Sequence, residues 1–129
     1  MIHGIGCDIL EISRIRRIVS GTHGPSFLRK VLTEREQELY EVMGSETRKV
    51  EYAAGRFAAK ESVSKALGCG ICGKLGLKDI EIVPDSAGKP LCRITERSRL
   101  ELGLNASFVI HLSISHSEEH VVAYAVVEV

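Results

Sequence analysis

Three charged residues stand in surroundings that suit chemistry on a phosphate. Asp8 follows Gly4 and Gly6 on one face of a predicted N-terminal strand. Glu61 and Lys65 are one turn apart on the longest predicted helix. Proteins bind Mg²⁺ through one or two carboxylates, with waters and substrate phosphates as the remaining ligands. The two carboxylates therefore indicate a magnesium site, with the lysine near the phosphates.

Each of these residues also has an ordinary structural interpretation. An aspartate after a strand often caps the helix that follows, and a helical pattern begins just beyond Asp8. Glu61 and Lys65 have the spacing of an ion pair on a solvated helix face, which contributes only a few tenths of a kcal/mol. Spacing alone leaves both interpretations open.

The elements that must position these residues carry small side chains. Glycines on the Asp8 face weaken a strand unless another element must come close to its backbone. The longest helix is predicted over residues 47–67, and Gly68 is its natural stop. One side of this helix combines small, aromatic and charged residues: Ala54, Phe57, Ala58, Glu61 and Lys65. Close packing of the helix on a strand is therefore expected.

The rest of the chain alternates between helical and strand patterns. Thr33 and Glu36 have capping-box spacing, so a helix should begin there and run to about Val42. Helical patterns also follow residue 12 and Thr95, and strands are predicted over residues 80–83, 90–94, 108–115 and 121–127. We expect one α+β domain over residues 1–129, with helices packed on a largely antiparallel sheet whose last strand is central.

Composition limits the possible classes of protein. The 129 residues are 44% hydrophobic, and 17 Lys and Arg balance 17 Asp and Glu. This apolar content excludes a disordered chain, and zero net charge gives no reason to expect nucleic-acid binding. No apolar run approaches the ~20 residues of a membrane span, and no signal peptide is evident at Met1. We expect a cytoplasmic protein with reduced cysteines and no membrane partner.

Two further motifs give weaker support for a catalytic or metal site. Cys69 and Cys72 have CxxC spacing, but they follow a helix in a glycine-rich stretch and have no second pair with which to complete a zinc site. Ser115 and His116 close a strand without the GxSxG motif of a nucleophile elbow. We interpret the cysteines as loop residues and the Ser-His segment as a ligand-binding rim.

The ordered set of segments resembles the bacterial holo-[acyl-carrier-protein] synthases. The resemblance rests on residues 4–15, 54–66 and 112–117, with residues 27–36 and 88–90 matching in kind and order. It spans nearly the whole chain. It implies the phosphopantetheinyl transferase fold and transfer of the 4'-phosphopantetheine arm of coenzyme A to a serine of an acyl carrier protein, for fatty acid biosynthesis.

The resemblance also implies roles for individual residues. Asp8 and Glu61 would bind Mg²⁺, Lys65 would neutralise the phosphates, and Glu61, directly or through a metal-bound water, would take the serine proton. Residues implied to line the coenzyme A site are Arg56, Lys65, Gly68, Pro90, Ser115 and His116. Arg14 and Arg17 would face the acidic carrier protein. Small members of the family are homotrimers with each site at a subunit interface.

A non-catalytic module that binds coenzyme A or the carrier protein is the alternative. The joint presence of Asp8, Glu61 and Lys65 argues against it, because a degraded enzyme should lose one of them. Cys69 and Cys72 depart from the family pattern, and this puts the coenzyme A contacts of their loop in doubt.

Overall fold

The computed structural model describes residues 1–129 and contains five helices and five strands. In chain order these are β1 (Ile2–Glu11), α1 (Ile12–Ser20), α2 (Gly24–Val31), α3 (Glu34–Glu41), α4 (Glu46–Ala66), β2 (Ile80–Pro84), β3 (Pro90–Ile94), α5 (Glu96–Glu101), β4 (Val109–His116) and β5 (His120–Glu128). The predicted elements are present, and the α+β class is confirmed.

The main sheet has three antiparallel strands in the order β1-β5-β4, and α4 packs across one face of it. The last strand is central, as its nearly continuous apolar sequence predicts. β2 and β3 form a separate antiparallel hairpin beside β4 instead of joining this sheet. The hairpin closes through a turn in which Gly88 has φ +86°.

Helix α4 lies directly on the backbone of β1. An ideal Cβ built on Gly4 would lie 2.0 Å from the carbonyl oxygen of Ala66, and one on Gly6 would lie 1.9 Å from that of Ser62. No real side chain fits at such distances. The glycines on the Asp8 face are therefore required by close approach, as the sequence pattern predicts.

Helix α2 was not predicted, because the segment from Gly21 to Pro25 has the composition of a break between helices. Pro25 instead occupies the first turn of α2. Its fixed φ suits that position, and its missing N–H has no helical partner there. The proline therefore starts a helix.

A buried ion pair joins α3, α4 and the β2–β3 hairpin. Lys60 and Glu36 are both fully buried, and the Lys60 Nζ lies 2.6 Å from Glu36 Oε1. Glu36 is also the acidic member of the predicted capping box with Thr33, which is confirmed. Burial lowers the pKa of Lys60, and the Glu36 carboxylate opposes that shift.

The core lies between α4 and the inner face of the main sheet. Fully buried members of this core include Ala54 and Ala58 of α4 and Ala123 and Val127 of β5. The small side chains bring helix and sheet together. No helix is long and apolar enough to cross a bilayer.

The α4–β1 contact predicts that Gly6→Ala destabilises the chain. The added methyl group would overlap the Ser62 carbonyl, so helix and strand must separate. We expect the free energy of unfolding in urea to fall by about 3 kcal/mol. Gly44→Ala is the matched control, because nothing lies within 4 Å of its Cβ. Equal unfolding midpoints for the two variants would contradict this packing.

Candidate functional site

Asp8 and Lys65 form an ion pair between β1 and α4. The Lys65 Nζ lies 3.1 Å from Asp8 Oδ1 and donates a second hydrogen bond, 2.9 Å long, to the Cys7 carbonyl oxygen. Asp8 does not cap α1, because that helix begins after Glu11, three residues further on, without a side-chain cap. The capping interpretation is therefore wrong for Asp8.

Glu61 faces the same pair from one turn earlier on α4. Burial raises the pKa of the Glu61 carboxyl above its ordinary range, the charge of Asp8 raises it further, and Lys65 partly offsets both effects. Lys65 bonds Asp8 and not Glu61, so the interpretation as a solvated Glu61–Lys65 pair is also wrong. The fold brings the three predicted residues together.

The donor set fits a magnesium ion. Asp8 and Glu61 offer carboxylate oxygens, and no group of three or more Asp, Glu, His or Cys side chains forms a fuller metal cage. A small hard cation prefers this arrangement, because it keeps several coordination positions for water and phosphate oxygens. It would also relieve the repulsion between the two carboxylates.

A cleft of about 780 Å³ lies on the opposite side of α4, between that helix, the β2–β3 turn and β4. Of the predicted coenzyme A residues it contains Arg56, Pro90 and His116. Its other polar lining residues are Arg48, Glu51, Tyr52, Lys89 and Ser113. The cations outnumber the acids, which suits a phosphate-bearing ligand.

Arg56 is held on two sides within this cleft. Its Nε donates a hydrogen bond to the Ile82 carbonyl oxygen at 3.2 Å, and its guanidinium lies 4.5 Å from the centre of the Tyr52 ring. Neither contact takes a hydrogen bond from its terminal nitrogens. Guanidinium groups bind phosphate through such nitrogens in a fork. The His116 ring lies 3.7 Å from a Glu51 carboxylate oxygen at the edge of the same cleft.

Sequence reasoning missed Arg48, Tyr52 and Lys89. Arg48 and Tyr52 precede Arg56 by eight and four residues, so the three share one helix face. That spacing was an available signal. No sequence pattern indicated Lys89, because its position in the cleft depends on how the β2–β3 turn packs against α4.

Three predicted coenzyme A residues lie outside this cleft: Lys65, which bonds Asp8 as described above, Gly68 and Ser115. Gly68 follows the end of α4 with φ +80°, so its predicted role as a helix stop is confirmed. Ser115 pairs with Val122 on the face of the sheet opposite to His116. Ser115 and His116 therefore do not face each other as nucleophile and base, in agreement with the sequence interpretation.

Arg14 and Arg17 lie together beside the end of β1. They line a second, shallower cavity of about 420 Å³ that also contains Glu11 and His120. Both arginines are exposed, so α1 presents a basic surface to the solvent.

Comparison with known proteins agrees with the resemblance along the whole chain. A model of the 4'-phosphopantetheinyl transferase superfamily matches residues 4–125. The holo-[acyl-carrier-protein] synthase of Clostridium novyi is 44% identical over 129 residues, covering 100% of this chain and 89% of that protein. The synthase of Halalkalibacterium halodurans is 42% identical over 128 residues, covering 99% of this chain and 97% of that protein.

Solved structures extend the similarity to the fold. The holo-(acyl-carrier-protein) synthase of Bacillus anthracis in complex with CoA (3',5'-ADP) is 38% identical, with a TM-score of 0.81 over 98% of this chain and 96% of that one. The Helicobacter pylori synthase in complex with coenzyme A is 31% identical, with a TM-score of 0.82 over 96% of this chain and 99% of that one. The chain therefore belongs to the holo-[acyl-carrier-protein] synthases of the 4'-phosphopantetheinyl transferase superfamily.

Proposed function

We propose that this protein transfers the 4'-phosphopantetheine arm of coenzyme A to a serine hydroxyl of apo acyl carrier protein, for fatty acid biosynthesis. The serine oxygen forms a bond to the phosphorus next to the pantetheine arm, and adenosine 3',5'-bisphosphate leaves. The convergence of Asp8, Glu61 and Lys65 supports this function most directly. The names of the relatives and the coenzyme A complexes of two of them point the same way.

Asp8 and Glu61 would hold Mg²⁺, which supplies positive charge and alignment to the pyrophosphate. Lys65 adds a second positive charge, and its ion pair with Asp8 keeps it beside the phosphates. Glu61 takes the serine proton, directly or through a bound water. A carboxylate beside the metal can serve as the base that the serine hydroxyl needs.

The nucleotide end of coenzyme A is assigned to the cleft beside Arg56. Arg48, Arg56 and Lys89 supply positive charge to the phosphate of the leaving group, and Pro90 and His116 form part of its wall. Gly68 and Ser115 are retained as coenzyme A contacts only through the family resemblance.

The location of this cleft supports a site shared between two chains. Arg56 and Lys65 are nine residues apart on α4, which turns them about 180° from each other and separates them by about 13 Å along the axis. One coenzyme A molecule does not reach both faces of the same helix easily. If one subunit supplies Asp8, Glu61 and Lys65 and its neighbour supplies the Arg56 cleft, the site is complete.

The outer face of the main sheet offers a surface for the homotrimer that the family resemblance implies. Ile5, Ile9 and Tyr124 all point away from α4, and their exposed fractions are 71%, 66% and 58%. Val122 and Val126 lie beside them on the central strand. An apolar sheet face of this kind is typical of a protein–protein interface. We therefore assign it to contacts between subunits.

Arg14 and Arg17 are assigned to the docking of the carrier protein. Acyl carrier proteins are acidic, and an exposed cluster of arginines raises the rate of encounter with an acidic partner. Because the net charge of the chain is zero, this attraction must come from the local surface of α1.

Asp8→Asn and Glu61→Gln should each abolish transfer while the fold persists, because each removes one metal-binding charge. The measurement is the intact mass of apo acyl carrier protein after incubation with coenzyme A and Mg²⁺. With the unmodified protein, we expect the carrier protein to gain the mass of one phosphopantetheine. With either variant, or with the unmodified protein and a chelator, we expect no gain in mass. Glu38→Gln, an exposed change on α3, should remain active.

Full transfer by either carboxylate variant would contradict the metal assignment. If the unmodified protein binds coenzyme A but adds no mass to the carrier protein, the chain is a non-catalytic binding module. Transfer that survives the chelator would show that the reaction does not need a metal.

Arg14→Glu should raise the KM for the carrier protein about tenfold, because it reverses one charge of the docking surface. The Kd of coenzyme A, measured by calorimetry, should not change. Arg35→Glu makes the same charge change at an exposed position of α3 and should leave both values near those of the unmodified protein. An equal effect of the two substitutions would mean that net charge, and not the α1 surface, governs docking.

Tyr124→Arg should dissociate the trimer, since it places a charge at the centre of the exposed sheet face. Light scattering during size-exclusion chromatography should change from the mass of three chains to that of one. Leu100→Arg is the matched control, because Leu100 is 63% exposed but lies on α5. A Tyr124→Arg variant that remains trimeric would place the subunit interface elsewhere.

A further inference from the structure

The fully buried pair of Lys60 and Glu36 has no part in the chemistry proposed above. Removing two charges from water carries a large desolvation cost, and well-packed apolar residues often replace such pairs without loss of stability. The pair lies outside the cleft, and neither residue faces the metal-binding carboxylates. Its hydrogen bonds connect it to the cleft by another route.

Both carboxylate oxygens of Glu36 accept hydrogen bonds. Oε1 accepts hydrogen bonds from the Lys60 Nζ at 2.6 Å and from the Thr33 N–H at 2.8 Å. Oε2 accepts from the backbone N–H of Ile82 at 2.8 Å. The Lys60 Nζ also donates to the Val31 carbonyl oxygen at 2.6 Å. These bonds fix the position of Ile82 relative to α3 and α4.

Ile82 lies on the edge of β2 that has no neighbouring strand. Along this edge its N–H is taken by Glu36, and its carbonyl oxygen accepts the hydrogen bond from Arg56 Nε at 3.2 Å. The side chains of Glu36 and Arg56 thus make the hydrogen bonds that a neighbouring strand would otherwise make with Ile82. The buried pair and the cleft arginine are attached to the same residue.

This attachment leaves Arg56 ready to bind an anion. Its Nε is held by Ile82 and its guanidinium is stacked on Tyr52, so the direction of the terminal nitrogens is fixed before a ligand arrives. A guanidinium that is already ordered loses less side-chain entropy when it binds a phosphate. A displacement of Ile82 would remove that advantage.

We infer that Lys60 and Glu36 are positioning residues that direct Arg56, through the backbone of Ile82, toward the phosphate-bearing end of coenzyme A. This inference rests on the proposed function, in which Arg56 binds coenzyme A. It explains why a charged pair occupies the core between α3, α4 and β2. It also assigns a role in substrate affinity to two residues that do not touch the substrate.

The test is a double-mutant cycle on coenzyme A affinity, measured by calorimetry without carrier protein so that no turnover occurs. Glu36→Gln keeps the size of the side chain, but its single carbonyl oxygen cannot serve Lys60, Thr33 and Ile82 together. We expect Glu36→Gln to raise the Kd of coenzyme A about tenfold, and Arg56→Gln to raise it at least as much. The double variant should bind no more weakly than Arg56→Gln alone, because residues that act through one group are not additive.

A control separates positioning from general destabilisation. Leu104→Ala removes buried volume outside the cleft, and its Kd for coenzyme A should match that of the unmodified protein. If Glu36→Gln fails to fold, the double change Glu36→Leu with Lys60→Met takes its place in the cycle. It removes both charges together and still deprives the Ile82 N–H of its acceptor.

The outcomes distinguish the inference from the proposed function. If Arg56→Gln leaves the Kd unchanged, the assignment of Arg56 to coenzyme A is wrong, and the inference fails with it. If Arg56→Gln weakens binding but Glu36→Gln does not, only the inference is overturned. Multiplying effects of the two substitutions would also overturn it, because they would show that the pair acts independently of Arg56.

Discussion

The contact between helix α4 and the bare backbone of β1 is the constraint on which the site depends. At Gly4 and Gly6 the strand comes so near the helix that a methyl group on either residue would overlap a helix carbonyl. This proximity allows Lys65 to reach both Asp8 and the Cys7 carbonyl oxygen, and it brings the Asp8 charge close enough to raise the pKa of Glu61. Larger residues would move these groups apart.

Helix α4 contributes residues to the core and to both parts of the proposed site. Small residues of α4 pack on the sheet, and Glu61 and Lys65 lie on one side of this contact, beside β1. Arg56 lies on the other side, in the cleft between α4, the β2–β3 turn and β4. Because Lys65 and Arg56 point to different sides of the same helix, the proposed site requires residues from a neighbouring chain. The exposed apolar face of the main sheet provides a surface for that association.

Local signals in the sequence predicted much of this architecture. The Thr33–Glu36 spacing located the start of α3, and the glycines beside Asp8 indicated a close neighbour. Helix α2 was missed because proline is typical both of a break between helices and of the first turn of a helix, and Pro25 lies in a first turn. The buried Lys60–Glu36 pair joins residues 24 positions apart, and a local sequence pattern does not predict such a contact. Long-range packing likewise decided that Lys65 bonds Asp8 and not Glu61.

We propose that Asp8 and Glu61 together bind the metal on coenzyme A. Anomalous diffraction from crystals grown with coenzyme A and Mn²⁺, a substitute for Mg²⁺ with similar oxygen ligands, tests it directly. We expect one anomalous peak between the two carboxylates, within coordination distance of both and of the pyrophosphate. A peak bound by other side chains, or ordered coenzyme A with no metal at these carboxylates, would contradict it.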